Sequence, residues 1–285
     1  MIVTNRQGLP EAIVEAVKND GYSRGAADIS VTGLLKPPRL SALEALNAPA
    51  ITEDASDRIW SLVGQVMHGI LERANKSGIA ERRLSIKVRG WIVSGSMDLY
   101  HEAGLLQDYK FVTAWKFKDG GIPIEYEQQL NCYAEILRQN GESVERAEIV
   151  AILRDWSKRE AMRNEGYPQA QVIRRPARLW APEEAQAFMD ERVRLHQQAR
   201  EILPECSAEE RWQDPTTYAV MKKGAKRALK IYESGADAYA HAGQDAANLS
   251  VEVRRGEPVR CMSYCSVAKF CRQYQDEINF EGVKV

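Results

Sequence analysis

Three segments between residues 82 and 112 constrain the fold more than any other part of the chain. "RRLSIKVRG" alternates apolar and polar residues, "WIVSGSMDLY" alternates less cleanly, and "GLLQDYKFV" opens on a glycine turn. A period of two belongs to strands, whose successive side chains face opposite sides. The spacing therefore predicts an antiparallel meander, each strand one hairpin from the next. Before it, "SDRIWSLVGQVMHGILERANKSG" sets Ile59, Leu62, Val63, Val66, Ile70 and Leu71 at helical spacing, with Gly78 as the stop. After it, "IEYEQQLNCYAEILRQNG" reads as a helix closed by Gly141, and "ERAEIVAILRDW" as a buried strand. Helix, meander, helix, strand is the order of an α/β fold with a mixed central sheet flanked by helices.

The remaining elements are less tightly specified. "LPEAIVEAVKN" reads as a short helix after a proline start, and the Pro37-Pro38 pair breaks the next segment before a helix capped by Ser41. "PQAQVIRRPARLW" is expected as a strand, and "APEEAQAFMDERVRLHQQAREIL" as a long helix with Pro182 in its first turn. From residue 204 the character changes, with a helix expected around "AVMKKGAKRALKIYESGADAYAHAG" and then a cysteine-bearing tail. Two parts follow: a domain over 1–200 with its core about 55–160, and a helical extension over 201–285 packed on it. The chain has 285 residues, 44% hydrophobic and 28% charged, which supplies an ample core. A formal net charge of -1 excludes a global polycation, so a nucleic-acid partner would be held by local patches. No apolar run reaches bilayer length, and the first residues lack a basic-then-apolar signal pattern. The expectation is a cytoplasmic protein without a membrane partner. Five irregularly placed cysteines argue against a secreted disulfide scaffold and leave metal binding open.

The chemistry concentrates in "GSMDLYHEAGLLQDYK". Asp108 and Lys110 are two apart on a strand and project together, while Tyr109 faces the other layer. Asp98 ends the preceding strand, across the Gly104 turn, so its carboxylate comes near Asp108 if the strands pair. Two adjacent carboxylates repel unless a cation sits between them, and oxygen ligands suit Mg²⁺ or Mn²⁺. An ammonium beside such a pair can orient water or stabilise phosphoryl charge. An Asp and a Lys two apart on a strand are more often a solvated face, so three further features matter. His68 and Glu72 share a helix face in "GQVMHGILE"; Gly95 permits close approach just before Asp98; and Gln129 and Tyr133 are one turn apart in "QQLNCY".

The order "GxxxHxxxE", "GxxD", "DxK", "QxxxY", over roughly residues 60 to 135, resembles the PD-(D/E)XK nuclease superfamily, and its His and Gln/Tyr helix resemble the RecB-type exonuclease branch. The resemblance implies a restriction-endonuclease-like core. It implies that Asp98, Asp108 and the Tyr109 carbonyl bind the catalytic metal, with His68 a further ligand. Lys110 would position the attacking water, Gln129 and Tyr133 would steady the site or hold DNA phosphates, and Glu72 would support from behind. The second acid is Asp where many relatives have Glu, a methylene shorter.

"RCMSYCSVAKFC" places Cys261, Cys265 and Cys271 within eleven residues, and Cys206 is the best fourth ligand for a metal or iron–sulfur site. Cys132, in mid-helix, reads as a buried small residue. The tail resembles the three late cysteines of RecB-type nucleases that carry a [4Fe-4S] cluster. Those relatives have their fourth cysteine upstream of the core, and this chain has none before Cys132; zinc is the alternative. "KVRG", "RDWSKRE", "VIRRPAR" and "MKKGAKRALK" are local basic clusters, and Trp91, Trp115 and Trp156 could stack on bases. With no base-reading motif, DNA would be gripped through its backbone. By analogy the enzyme would be an exonuclease of phage recombination or repair, working with a recombination or single-strand-binding protein. The rivals are a structure-specific endonuclease and a non-catalytic subunit with a nuclease-like fold.

Overall fold

The computed structural model describes residues 2–19, 25–75, 79–117 and 120–282. It divides into two compact units, Met1–Leu203 and Pro204–Val285. In the first unit the elements run β1 (Ile2–Thr4), α1 (Glu11–Lys18), β2 (Ile29–Ser30), α2 (Val31–Leu34), α3 (Pro38–Asn47), β3 (Thr52–Asp54), α4 (Ile59–Ala74), β4 (Ile79–Val88), β5 (Trp91–His101), β6 (Leu105–Val112), α5 (Ile124–Gln139), β7 (Arg146–Leu153), α6 (Lys158–Ala161), β8 (Val172–Ala177) and α7 (Pro182–Ala199). The predicted meander is β4–β5–β6, antiparallel at both joins. Helix α5 then carries the chain back so that β7 lies parallel to β6, and β8 closes the edge antiparallel. The result is a mixed six-stranded sheet, with β2 and β4 both paired to β5.

One side of α5 forms the core. Leu130, Ala134, Ile136 and Leu137 are buried with Leu106 of β6, Ile149, Ala151 and Leu153 of β7, and Met189 and Val193 of α7. Each such aliphatic side chain contributes about 1.5–3 kcal/mol on full burial. Gly141, at φ +90°, ends the α5 segment in the left-handed conformation that a glycine adopts without steric cost. Three local expectations change. Helix α3 starts at Pro38 rather than at a Ser41 cap, because proline's fixed φ is pre-organised for the first helical position. The Gly78 stop lies outside the described residues, and α4 ends at Ala74. The α4 stripe is only partly covered: Leu62 packs on the Val14, Val17 and Ala55 cluster, while Val66 and Ile70 are exposed.

The second unit contains α8 (Ala208–Arg211), β9 (Thr217–Lys222), β10 (Ala228–Tyr232), α9 (Gly235–Gly243), β11 (Leu249–Arg254), α10 (Val259–Ser263) and α11 (Arg272–Gly282). The single helix expected around 219–243 is instead a hairpin followed by a shorter helix. Strand β9 sits between β10 and β11, and its Val220 packs under Ala238 and Ala242 of α9. The Lys- and Ala-rich composition favours helix locally, but pairing on both edges of β9 overrides it. Gly224 at φ +78° makes the turn, and Ser234 caps α9 by accepting from the Asp237 N–H. No helix of the described residues is long and apolar enough to cross a membrane.

Candidate active site

The site begins where two strands part. β5 pairs with β4 along nearly its whole length, but its other edge is shared between β2, at Val93 and Ser94, and β6, at Leu99–His101. The β5–β6 ladder stops at Leu99 opposite Gln107. In the opening beyond it, the Tyr109 backbone N–H donates to Asp98 Oδ2 at 2.6 Å. A side-chain carboxylate thus replaces a backbone acceptor. Within a strand, a residue's N–H and C=O address the same neighbour, so the Tyr109 carbonyl opens toward the same gap.

Asp108 and Lys110 share the face toward α5. The Lys110 ammonium lies 2.6 Å from Asp108 Oδ2 and donates to Gln129 Oε1 at 2.9 Å. Gln129 Nε2 in turn donates to the Tyr133 hydroxyl at 2.8 Å. The Tyr133 ring lies against Gly95 of β5, where a methyl group would stand 2.8 Å from Cδ1 and 2.9 Å from Cε1. Gly95 therefore admits an aromatic ring of the same chain, where the sequence had suggested room for a backbone or ligand. By strand alternation Asp98 lies on the opposite face from Gly95. There His68 Nδ1 of α4 sits 3.2 Å from Asp98 Oδ1. Glu72, one turn further, is exposed and makes no hydrogen bond or ion pair with this group among the described residues.

The electrostatics are those of a crowded, dry carboxylate. Asp108 is 2% exposed, and the Lys110 ammonium is the partner of its Oδ2. Burial above all pushes the Asp108 carboxyl up to about 6; Lys110 pulls it down and Asp98 pushes it further up. Burial also raises the Tyr126 phenol, whose ring has two ammonium groups near it, Lys110 Nζ at 5.1 Å and Lys116 Nζ at 5.4 Å from its centroid. Among the described residues no three His, Cys, Asp or Glu side chains form a group able to hold a metal ion. Asp98 and Asp108 rise from opposite faces of neighbouring strands yet lie near enough for the Asp98 charge to act on the Asp108 carboxyl, with the Tyr109 N–H and His68 engaged on Asp98. Carboxylate and carbonyl oxygens are the donor types that suit a hard divalent cation.

The cysteines behave differently. None of the five is in a disulfide. Cys132 is buried in α5, and burial pushes its thiol up to about 12, an inert structural group. Cys206, Cys261 and Cys265 lie near Arg260, whose half-buried guanidinium stacks 4.2 Å over Trp212, and Arg211 bonds to Cys261. The Gln273 side chain holds the Cys206 N–H and C=O at 2.9 and 3.0 Å, two positions from the buried Cys271. The four share a neighbourhood, but in this arrangement they do not form a metal-holding group.

Of the tryptophans chosen for base stacking, Trp156 is fixed by its Nε1–H to the Pro168 carbonyl at 2.7 Å, and Trp91 lies beneath Arg200 at 4.1 Å. Trp60 escaped sequence reasoning. It is 58% exposed, with the Arg154 guanidinium 3.9 Å over its ring. The available signal was its place outside the stripe of α4.

No protein-family model matches the chain, and no curated protein matches it. Among solved structures it is similar to the protein SSO0001, at 17% identity and a TM-score of 0.44, over 64% of this chain and 84% of that one. It is also similar to a candidate exonuclease from Eubacterium rectale, at 16% identity and a TM-score of 0.32, over 57% of this chain and 62% of that one.

Proposed function

We propose that the first unit is a divalent-metal-dependent deoxyribonuclease that degrades DNA from an end. The observation that carries this reading is the grouping of Asp98, Asp108 and Lys110 at the parting of β5 and β6. Mg²⁺ or Mn²⁺ held by Asp98, Asp108 and the Tyr109 carbonyl would supply Lewis acidity at the scissile phosphate. Lys110 would orient the attacking water and neutralise charge that develops on the phosphoryl oxygens. Gln129 and Tyr133 act through Lys110: their hydrogen-bond chain fixes the ammonium on a rigid helix. His68 acts through Asp98, holding one carboxylate oxygen while the Tyr109 N–H holds the other. The buried position of Asp108 strengthens each of these electrostatic contacts.

As part of the same proposal, Cys206, Cys261, Cys265 and Cys271 take up an iron–sulfur cluster, or zinc, after their side chains turn toward one another. End-directed action is tested by incubating linear and closed-circular DNA with the protein and Mn²⁺, with a chelator control. The expected result is steady release of nucleotides from the linear form only. Rapid cutting of closed circles would replace the exonuclease reading with an endonuclease.

A further inference from the structure

The C-terminal ends of the parallel strands β6 and β7 carry a construction that the hydrolytic chemistry does not require. The Arg154 N–H donates to the Val112 carbonyl at 2.9 Å, and the Ala114 N–H donates to Asp155 Oδ1 at 2.7 Å. These two bonds clasp the loop after β6 to the loop after β7. The clasped loops present Trp115, 63% exposed, and Arg154, which lies over the 58% exposed Trp60 of α4. Two tryptophans so open to water expose a large apolar area, which normally marks a binding surface. Ligands of open α/β sheets collect at the carboxyl ends of parallel strands.

The position relative to the candidate active site is fixed by the elements themselves. Trp60 precedes His68 by eight residues, about 12 Å of helix. Val112, clasped to Arg154, follows Lys110 by two residues on β6. On the α5 side, Lys116 shares the Tyr126 ring with Lys110. Cations therefore adjoin the site on both faces of the sheet, Lys116 beside the Tyr126 ring on the Lys110 side and Arg154 over Trp60 on the His68 side. A planar base offers a π-face to tryptophan whatever its identity, and phosphates pair with Arg and Lys; flat rings interleaved with cations suit an unpaired strand. Duplex DNA keeps its bases stacked inside and would meet only the cations.

We propose that Trp60, Trp115 and Arg154 form a stacking platform for single-stranded DNA, leading an unpaired end toward Lys110 and Asp108. The direction of threading rests on the nuclease reading; the binding does not. The experiment measures anisotropy of fluorescein-labelled oligonucleotides of one sequence, as single-stranded DNA, duplex DNA and RNA, in chelator so that no hydrolysis intervenes. The proteins are wild type, Trp60→Ala, Trp60→Phe, Trp115→Ala and Arg154→Ala, each checked for folding by thermal melting. Each tryptophan-to-alanine change is expected to weaken single-strand DNA binding about fivefold to 100-fold. Duplex affinity should stay within about twofold, Trp60→Phe should recover most of the loss, and the quench of tryptophan fluorescence on binding should shrink. Unchanged single-strand affinity, equal losses for single strand and duplex, or tighter binding of RNA than of DNA would overturn the proposal. A wild type that binds single strands through these residues yet hydrolyses no DNA would remove the nuclease reading and leave the platform standing.

Discussion

Replacing Gly95 with alanine tests the coupling between the sheet and the helix that carries Gln129. A β-carbon there would meet Tyr133 at 2.8 and 2.9 Å and Ile136 Cδ1 at 3.2 Å, all inside ordinary contact distance. The clash falls on the edge of a buried aromatic ring, not on a flexible tip, so α5 or the ring must move. Overpacking of this kind costs about 1–3 kcal/mol. Alanine offsets part of that, about 0.4–1 kcal/mol, by reducing the freedom of the unfolded chain. The net expectation is a loss of about 1–2 kcal/mol, or a fall in Tm of roughly 2–8 °C for a unit of this size. Urea denaturation gives the free energy directly. A double-mutant cycle with Tyr133→Leu identifies the clashing group, since removing the ring should cancel most of the alanine penalty. Hydrolysis should fall in Gly95→Ala as well, because a displaced Tyr133 releases Gln129 and through it Lys110. A Gly95→Ala protein at least as stable as wild type, or a cycle with no coupling, would show that Gly95 and Tyr133 do not press on each other.

Burial raises the Asp108 carboxyl from its ordinary 3.8 to about 6 in the folded chain. The folded state therefore holds this proton more tightly, and the stability it contributes below about pH 4 is lost as pH rises through about 6. In chelator, Asp108→Asn should gain on wild type across that window and stay ahead above it; parallel stability curves would contradict the burial of this charge. Protein purified without oxygen should be brown and carry iron, and Cys261→Ala with Cys265→Ala should lose the colour. Colourless protein with one zinc per chain would assign zinc, and protein with neither metal would remove the centre.

Much of the first unit could be read from the chain because its signals are local. Period-two alternation and the glycine turn at Gly104 marked the meander, and two-residue spacing put Asp108 beside Lys110. The parting of β5 from β6 was not legible, since it depends on β2 taking part of the β5 edge from a distant point in sequence. For the same reason His68 could be named near the carboxylates but not placed on Asp98 in particular. Trp60 carried no mark of its own until Arg154, ninety-four positions later, came to lie on its ring. In the second unit, intrinsic preference for helix at "KKGAKRALK" lost to the pairing of β9 with two neighbours, an outcome visible only in three dimensions.

On the proposed reading, Asp98, Asp108 and Lys110 hydrolyse phosphodiester bonds together. The most direct measurement is nucleotide release from end-labelled linear DNA in Mn²⁺ by wild type, Asp108→Ala and Lys110→Ala, matched for folding by circular dichroism. Release by wild type, with a drop of at least about a hundredfold in both variants, is the predicted result. Equal release by all three proteins, or none by any, would contradict it.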